Sequence, residues 1–339
     1  MNPESADAPG PCPGGAPTVT ETVRTVIAEA VWAPSVHNTQ PWWFSADGQQ
    51  ISLYADAGRR LAVADPNGRE LMISCGTALF TARLALRSLG YIPETQVLPD
   101  PAMPALVARV RWEQRAPTTD GERRLIAQIR QRRTHRGAFG PAPVPPELLQ
   151  ALCDAAARDG AGLRIVTDGG NRAALASAVQ TAEQAMHLDS AHVQELVTWT
   201  PPPASSRRDG VPSSSYPVRA QHTDPDFPAR DFAHGRGWGI PPPSWAPATP
   251  TAGTVGLLTT PGDTPADWVN AGQALQRMLL TAGACGVAAA IHSQPLELPW
   301  LRELIRARLG DGHPQLLLRL GTVIQTSVSV RRPPEQFLH

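Results

Sequence analysis

"GTALFTARLALRSLG" (residues 76–90) and "GQALQRMLLTAGACG" (residues 272–286) are two apolar stretches that match each other at a constant offset of 196 residues. Five of their fifteen positions are identical: Gly76, Ala78, Leu79, Leu84 and Gly90 correspond to Gly272, Ala274, Leu275, Leu280 and Gly286. Both stretches have helical periodicity, both end at a glycine, and a strand follows each of them. The match predicts two similar halves that pack about a pseudo-twofold axis within one chain.

Apolar periodicity around these two stretches predicts the remaining elements. Helices are predicted over residues 20–32, 67–89, 119–133, 144–160, 171–188, 265–285 and 299–309, and strands over residues 40–44, 51–55, 105–112, 163–167, 254–260 and 315–321. This mixture predicts an α/β fold of the α+β sandwich type. We expect the first half to span residues 21–117 and the second half residues 118–339.

A stretch rich in proline, serine and glycine, residues 200–253, interrupts the predicted second half. A structureless stretch of that length inside a compact domain is usually a functional lid or a disordered segment. Its aromatic residues are Tyr216, Phe227, Phe232, Trp238 and Trp245. Aromatic side chains normally find burial, so we expect a lid. Residues 1–20 are also rich in proline and glycine but lack such aromatics, and they predict a disordered tail.

The charge balance excludes two classes of partner. The formal net charge is zero and the isoelectric point is about 7.1, so nothing favours binding to nucleic acid or to a membrane surface. The N-terminal residues have neither the basic nor the apolar region of a signal peptide. Apolar runs also stay short of the roughly 18–20 residues that span a bilayer. We therefore expect a cytoplasmic protein.

Arginine provides all 30 side-chain cations, because the sequence contains no lysine. A Schiff-base lysine and a P-loop lysine are therefore excluded, and any buried phosphate must be held by arginine or by backbone N–H groups. The sequence also lacks GxSxG, HExxH and GxGxxG motifs. The four cysteines show no metal-ligand spacing, and three of them lie in apolar helical patterns that favour small buried side chains. We predict no metal site.

Four further stretches contain residues suited to ligand binding: "PSVHNTQPW" (34–42), "RRTHRGAF" (132–139), "GVAAAIHSQP" (286–295) and "VRRPPEQF" (330–337). Each has a structural interpretation when taken alone. An arginine pair at a helix end, for example, complements the helix dipole. Two arginine clusters in a lysine-free chain nevertheless favour a phosphate ligand.

Several of these stretches resemble the FMN-dependent nitroreductase family. "APSVHNTQPW" is similar to the family motif PSxxNxQPW, and "RRTHRGAFGPAPVP" resembles the arginine-rich opening of the family fold. "DPNGREL" and "SCGTALFTARLALRSLGY" resemble the Acg-like, actinobacterial-type branch, in which one chain carries two halves. The resemblance covers roughly residues 22–200 and 253–338. It implies an FMN cofactor, NADH or NADPH as donor, and a small electron-poor acceptor such as a nitroaromatic or a quinone.

The resemblance also implies the site residues, with the flavin N5 atom carrying the chemistry in a ping-pong scheme. Arg132, Arg133, Thr134 and Arg136 stand where the family binds the phosphate and the flavin edge, and Arg331 and Arg332 occupy its C-terminal phosphate position. Pro34, Ser35, Asn38 and Gln40 stand where the partner chain covers and hydrogen-bonds the flavin. His292, Ser293 and Gln294 fall near the segment that approaches flavin N5 and O4.

Each predicted half lacks what the other keeps. No arginine-rich opening precedes Thr22, and no PSxxNxQPW motif follows "ALCDAAARDG" (151–160). The resemblance therefore implies one composite flavin site per chain, where a homodimer has two, and a monomer or weak homodimer. The length of the insert leaves an alternative open: a flavin-sequestering or redox-sensing protein with little turnover.

Overall fold

The computed structural model describes residues 17–137, 139–219, 223–241, 251–310, 312–323 and 328–339. The predicted disordered tail lies almost wholly outside the described residues, and so does Trp245. The α-helices are α1 (Val19–Ala30), α2 (Arg69–Ser88), α3 (Asp120–Gln128), α4 (Pro146–Ala157), α5 (Gly169–Leu188), α6 (Ser190–Thr198), α7 (Pro265–Ala284), α8 (Gln294–Glu297) and α9 (Pro299–Leu309). The strands are β1 (Trp42–Asp47), β2 (Gln50–Ala55), β3 (Glu94–Val97), β4 (Leu106–Arg111), β5 (Gly162–Ile165), β6 (Thr254–Thr260), β7 (Val287–Ile291) and β8 (His313–Thr322).

Two antiparallel four-stranded sheets give the chain its α+β fold, as the sequence predicts. Their strand orders are β1-β2-β4-β3 and β5-β6-β8-β7. Helix α2 connects β2 to β3, and α7 connects β6 to β7, so the long apolar helix holds the same place in both topologies. One large apolar core lies between α1, α2 and the first sheet, and a second lies between α4, α7 and the other sheet.

Helices α2 and α7 cross at Gly76 and Gly272, which are equivalent positions of the internal match. A Cβ atom built on Gly76 would lie 2.1 Å from the carbonyl oxygen of Val269, and one built on Gly272 would lie 2.0 Å from that of Ile73. Val269 is also offset by 196 residues from Ile73. The contact is therefore reciprocal, as in an isologous interface between two identical subunits.

The two sheets differ in the connections between their strands. A two-residue turn joins β1 to β2, whereas residues 166–253 separate β5 from β6 and include α5, α6 and the proline-rich insert. Strand β3 and helices α6 and α8 have no counterpart among the predicted elements. Helix α3 ends at Gln128, earlier than predicted, so Arg132 and Arg133 lie beyond the helix.

The C-terminal arm, residues 328–339, packs on the first sheet although it follows the second one in sequence. Phe337 is fully buried and stacks on Trp42 with ring centroids 6.4 Å apart. The backbone N–H of His339 donates to the carbonyl oxygen of Phe44 at 2.9 Å. This arm brings Arg331 next to the loop that precedes β1.

The described cysteines differ in their burial. Cys75 is buried, as expected, but Cys153 is only partly buried and Cys285 is exposed, because Cys285 lies at the open C-terminal end of α7. The expectation of burial is therefore wrong for Cys285.

Among the described helices, none combines the length and the apolar character needed to cross a bilayer.

Candidate active site

A cavity opens where segments from the N-terminal and C-terminal parts of the chain meet. It has about 910 Å³ of atom-free space, including its open mouth. The predicted site residues that line it are Pro34, Ser35, Thr134, Arg136, His292, Ser293 and Gln294. Helix α2 contributes Glu70 and Ser74 to the same wall, and the insert contributes Arg230 and Phe232. The structure therefore brings together three of the four stretches singled out in the sequence.

The loop between α1 and β1 has an unusual backbone. His37, Asn38 and Gln40 have φ angles of +43°, +55° and +49°. Residues other than glycine rarely adopt this left-handed backbone conformation, so the surrounding contacts must stabilise it. The Ser35 hydroxyl accepts the backbone N–H of Gln40 at 2.9 Å, and the Ser74 hydroxyl of α2 accepts that of Val36 at 3.2 Å. These contacts fix Pro34 and Ser35 at the cavity wall.

Asn38 and Gln40 lie behind that wall and join three segments of chain. The Asn38 side-chain amide donates to the carbonyl oxygens of Gly210 and Val330 at 3.0 and 3.1 Å. The Gln40 side chain donates to the carbonyl oxygen of Arg208 at 3.0 Å and accepts the backbone N–H of Arg332 at 3.0 Å. Both amides therefore connect the loop to the insert and to the C-terminal arm.

Arg132, Arg133, Arg136 and Arg331 form a guanidinium cluster, and Arg136 lines the cavity. Arg132 and Arg331 are 6% and 9% exposed, and the Nε atom of each is buried without a hydrogen-bond partner among the described residues. Within the described part of the chain, no carboxylate forms an ion pair with any member of the cluster. Buried unpaired charges are costly, so this arrangement fits an anionic ligand.

The electrostatics of the cluster agree with this interpretation. Burial, and then the neighbouring Arg133 and Arg136, lower the pKa of Arg132 to about 9. Burial lowers the pKa of Arg136 to about 10, and burial together with the other three guanidinium groups lowers that of Arg331 well below its usual value. A bound anion would relieve this mutual repulsion and raise all three pKa values.

Strand β7 positions the arginine-rich segment. The His135 backbone N–H donates to the carbonyl oxygen of Ala289 at 2.9 Å, and Thr134 bridges the same residue in parallel orientation. Because the segment runs along the strand edge, Arg136 reaches the cavity. The Arg332 guanidinium lies over the Phe337 ring at 4.5 Å and donates to Gln336, so its side chain points away from the cluster.

His292, Ser293 and Gln294 follow β7 directly. The Nε2 atom of His292 accepts a hydrogen bond from Nε of Arg319 at 2.8 Å, so the imidazole is neutral. Burial and the nearby charges of Arg319 and Arg230 lower its pKa well below the usual value. Ser293 donates to Oε1 of Glu297 at 2.6 Å. The neutral imidazole can position a ligand, but it cannot exchange a proton near neutral pH.

The insert forms part of the cavity wall. Tyr216 and Phe232 are buried and stack with ring centroids 5.5 Å apart. The Phe232 ring meets His37 edge-on at 5.7 Å, and the Arg136 guanidinium lies 5.4 Å from its centroid. The described aromatic residues of the insert thus provide local packing and contacts to the cavity.

Sequence reasoning missed Glu70, Glu297 and Arg230. Glu70 is 5% exposed and its Oε2 atom has no hydrogen-bond partner among the described residues. Burial and the charge of Glu297 raise the pKa of Glu70 to about 8. Glu297 accepts a hydrogen bond from the Arg230 guanidinium at 2.6 Å. A glutamate in the first turn of a helix is common, so Glu70 gave no sequence signal for this role.

Comparison with known proteins places the chain in a family. The Nitroreductase family profile matches residues 129–322. Two proteins of Mycobacterium tuberculosis (strain ATCC 25618 / H37Rv) carry the name "Putative NAD(P)H nitroreductase". One, Rv3131, is 36% identical over 306 residues, which cover 89% of this chain and 85% of the relative. The other, acg, is 28% identical over 337 residues, which cover 94% of this chain and 96% of the relative.

A crystal structure of a nitroreductase with bound FMN from Desulfitobacterium hafniense DCB-2 also aligns with this chain. It has 14% sequence identity and a TM-score of 0.40, and the alignment covers 64% of this chain and 97% of that one. The family profile spans more than half of the 339 residues, and the 36% identity to Rv3131 extends over most of both chains. The chain therefore belongs to the nitroreductase family.

Proposed function

We propose that this protein is an FMN-dependent NAD(P)H oxidoreductase that reduces a small electron-poor acceptor such as a nitroaromatic or a quinone. The guanidinium cluster is the observation that carries this proposal. Arg132 and Arg331 each keep a buried Nε atom without a partner among the described residues, and Arg136 of the same cluster lines a cavity large enough for an aromatic ligand. A phosphate supplies the acceptor atoms that these groups lack. The names of the relatives Rv3131 and acg support NAD(P)H as the donor.

The residues at the cavity fit FMN. The phosphate would lie at Arg132, Arg136 and Arg331, and the flavin rings would lie in the cavity between Ser35 and the 292–294 segment. A bound isoalloxazine would accept and donate hydride, and the protein would supply orientation and electrostatics. Arg136, Arg230 and Arg319 line the cavity, so its potential favours developing negative charge.

We propose one composite site per chain, because the two halves contribute different parts. The first half supplies the loop of Pro34 and Ser35, and the second supplies Thr134 and Arg136. At the place that mirrors the α1–β1 loop, α4 ends at Ala157 and β5 begins at Gly162. So short a connection leaves no room for a second loop of that kind.

The insert supports a second candidate: a flavin-binding protein with little turnover. Arg230 and Phe232 line the cavity mouth, and Asn38 and Gln40 hold the insert in place. An insert that stays closed would keep a nicotinamide donor from the flavin.

Two spectra separate these functions. Purified protein should show flavin absorbance, or acquire it when reconstituted with FMN. Anaerobic addition of NADH or NADPH should then bleach that absorbance at a rate fast enough to support turnover. A flavin that neither donor bleaches would favour the sequestering function. A colourless protein that FMN does not reconstitute would contradict both.

A further inference from the structure

Three buried carboxyl groups line two cavities, the active-site cavity and a second cavity. Asp65, Glu70 and Glu297 are 4%, 5% and 9% exposed. Glu70 lines the active-site cavity, whereas Asp65 and Glu297 line the second, which has about 850 Å³ of atom-free space including its mouth. Asp65 also accepts the backbone N–H of Leu71 at 2.8 Å and so caps α2.

The hydrogen bonds of the two glutamates leave one oxygen of each available. Oε1 of Glu70 accepts Nη2 of Arg69 at 3.1 Å. Oε1 of Glu297 accepts hydrogen bonds from Arg230 and Ser293, both at 2.6 Å. The Oε2 atoms of both glutamates are buried and have no partner among the described residues. A protonated Glu70 therefore has an O–H group that no described residue accepts.

We propose that Glu70 donates the proton that the acceptor consumes, and that Glu297 resupplies Glu70 from the second cavity. This inference rests on the proposed function. Reduction of a quinone to a hydroquinone takes up two electrons and two protons, and hydride from NAD(P)H brings both electrons and only one proton. The O–H bond of Glu70 breaks as a new O–H bond forms on the acceptor oxyanion. The Glu70 carboxylate then regains a proton from solvent by way of Glu297.

The charges around Glu70 suit a proton donor near neutral pH. Burial and the neighbouring Glu297 and Asp65 raise the pKa of Glu70, whereas Arg69 and Arg230 lower it, and the result is a pKa of about 8. Below that pH, the Glu70 carboxyl group is protonated and can act as a general acid. Above it the carboxylate accumulates, so acceptor reduction should fall as pH rises past about 8.

Half-reaction kinetics of E70Q test the proposal. Donation of hydride from NADPH to the flavin takes no proton from the protein, so E70Q should slow anaerobic flavin bleaching far less than it slows reoxidation. Reoxidation by a quinone should slow about 100-fold or more, the usual share of a general acid. E147Q, which changes an exposed glutamate of α4, is the matched control. Unchanged reoxidation in E70Q, or an equal loss in both half-reactions, would overturn the proposal.

The pH profile of E297Q tests the electrostatic coupling of Glu297 to Glu70, on which the proposed resupply depends. Removing the like charge lowers the pKa of Glu70, so the high-pH decline in quinone reduction should move to lower pH than in the wild type. An unmoved decline would exclude Glu297 from the path.

Unfolding experiments provide a readout that is independent of turnover. The folded state holds the Glu70 proton more tightly than the unfolded state, so the stabilising contribution of Glu70 should be lost as pH rises from about 5 to about 8. The stability of the wild type relative to E70Q should therefore fall over this range, and a constant difference would contradict the buried titration. If neither donor bleaches the wild-type flavin, the proposed function itself fails and the inference fails with it.

Discussion

Gly76 and Gly272 meet backbone to backbone at the crossing of α2 and α7, and each is the counterpart of the other in the internal match. A Cβ atom on Gly76 would come within 3.0 Å of the Gly272 Cα atom. The contact at the crossing is reciprocal, and the identity of the two glycines has a steric cause. The two cores of the chain meet through this contact.

An alanine at this crossing should destabilise the protein. Gly76→Ala places a methyl group 2.1 Å from the carbonyl oxygen of Val269, so the helices must separate. We expect a loss of about 1–3 kcal/mol in the free energy of unfolding, measured with urea. Gly169→Ala is the control, because a Cβ atom there meets nothing within 4 Å. Equal stability of the two variants would contradict the close approach of α2 and α7.

Removing one guanidinium group should weaken the binding of FMN more than the binding of riboflavin. Arg136→Ala deletes a cation of the cluster, and a charge-assisted hydrogen bond contributes about 1.5–3 kcal/mol, or about 10- to 150-fold in Kd. Riboflavin lacks the phosphate, so its affinity should change far less. Arg130→Ala, whose ion pair with Glu29 is exposed, is the control. The same loss for both ligands would show that the phosphate binds elsewhere.

The buried histidines should make the protein less stable in mild acid. Burial lowers the pKa values of His37 and His292 well below 6.5, so the unfolded state binds more protons. Their stabilising contribution is present above about pH 6.5 and is lost as pH falls below it. His292→Gln keeps an acceptor for Arg319 and should reduce this loss between about pH 7 and about pH 5. His187→Gln, at an exposed position, should not reduce it.

Loosening the α1–β1 loop should expose the insert to protease. Asn38→Ala removes hydrogen bonds to Gly210, Val330 and Arg331, and it places alanine at a φ angle of +55°. A loss of about 1–3 kcal/mol predicts roughly tenfold faster tryptic cleavage after the exposed Arg207 or Arg208. Asn171→Ala, which removes a surface contact to Arg308, serves as the control. Unchanged cleavage at these sites would mean that Asn38 does not hold the insert.

The sequence was sufficient for the family, the α+β fold and the long helices, because apolar periodicity and local motifs carry that information. It was insufficient for β3, whose exposed and half-buried residues "ETQV" lack an apolar face. It also gave no sign of α6, which begins only two residues after α5 ends. The helix predicted over residues 119–133 extends beyond the end of α3 at Gln128, because arginine has a high intrinsic helix propensity that tertiary structure can override.

The site shows the same division between local and long-range information. Pro34, Ser35 and Arg136 belong to recognisable motifs, and the structure places them at one cavity. Glu70 and Glu297 are separated by more than two hundred residues, and only folding brings their charges together. Asn38 belongs to a motif, yet it contacts the insert and the C-terminal arm, which the sequence could not reveal.

The stoichiometry of FMN binding tests the central claim most directly. Titration of the apoprotein with FMN, followed by absorbance and calorimetry, should saturate at one FMN per 339-residue chain in a monomer. That ratio follows from a single composite site between the two halves. Saturation at two FMN per chain, binding that requires a second copy of the chain, or no binding at all would contradict it.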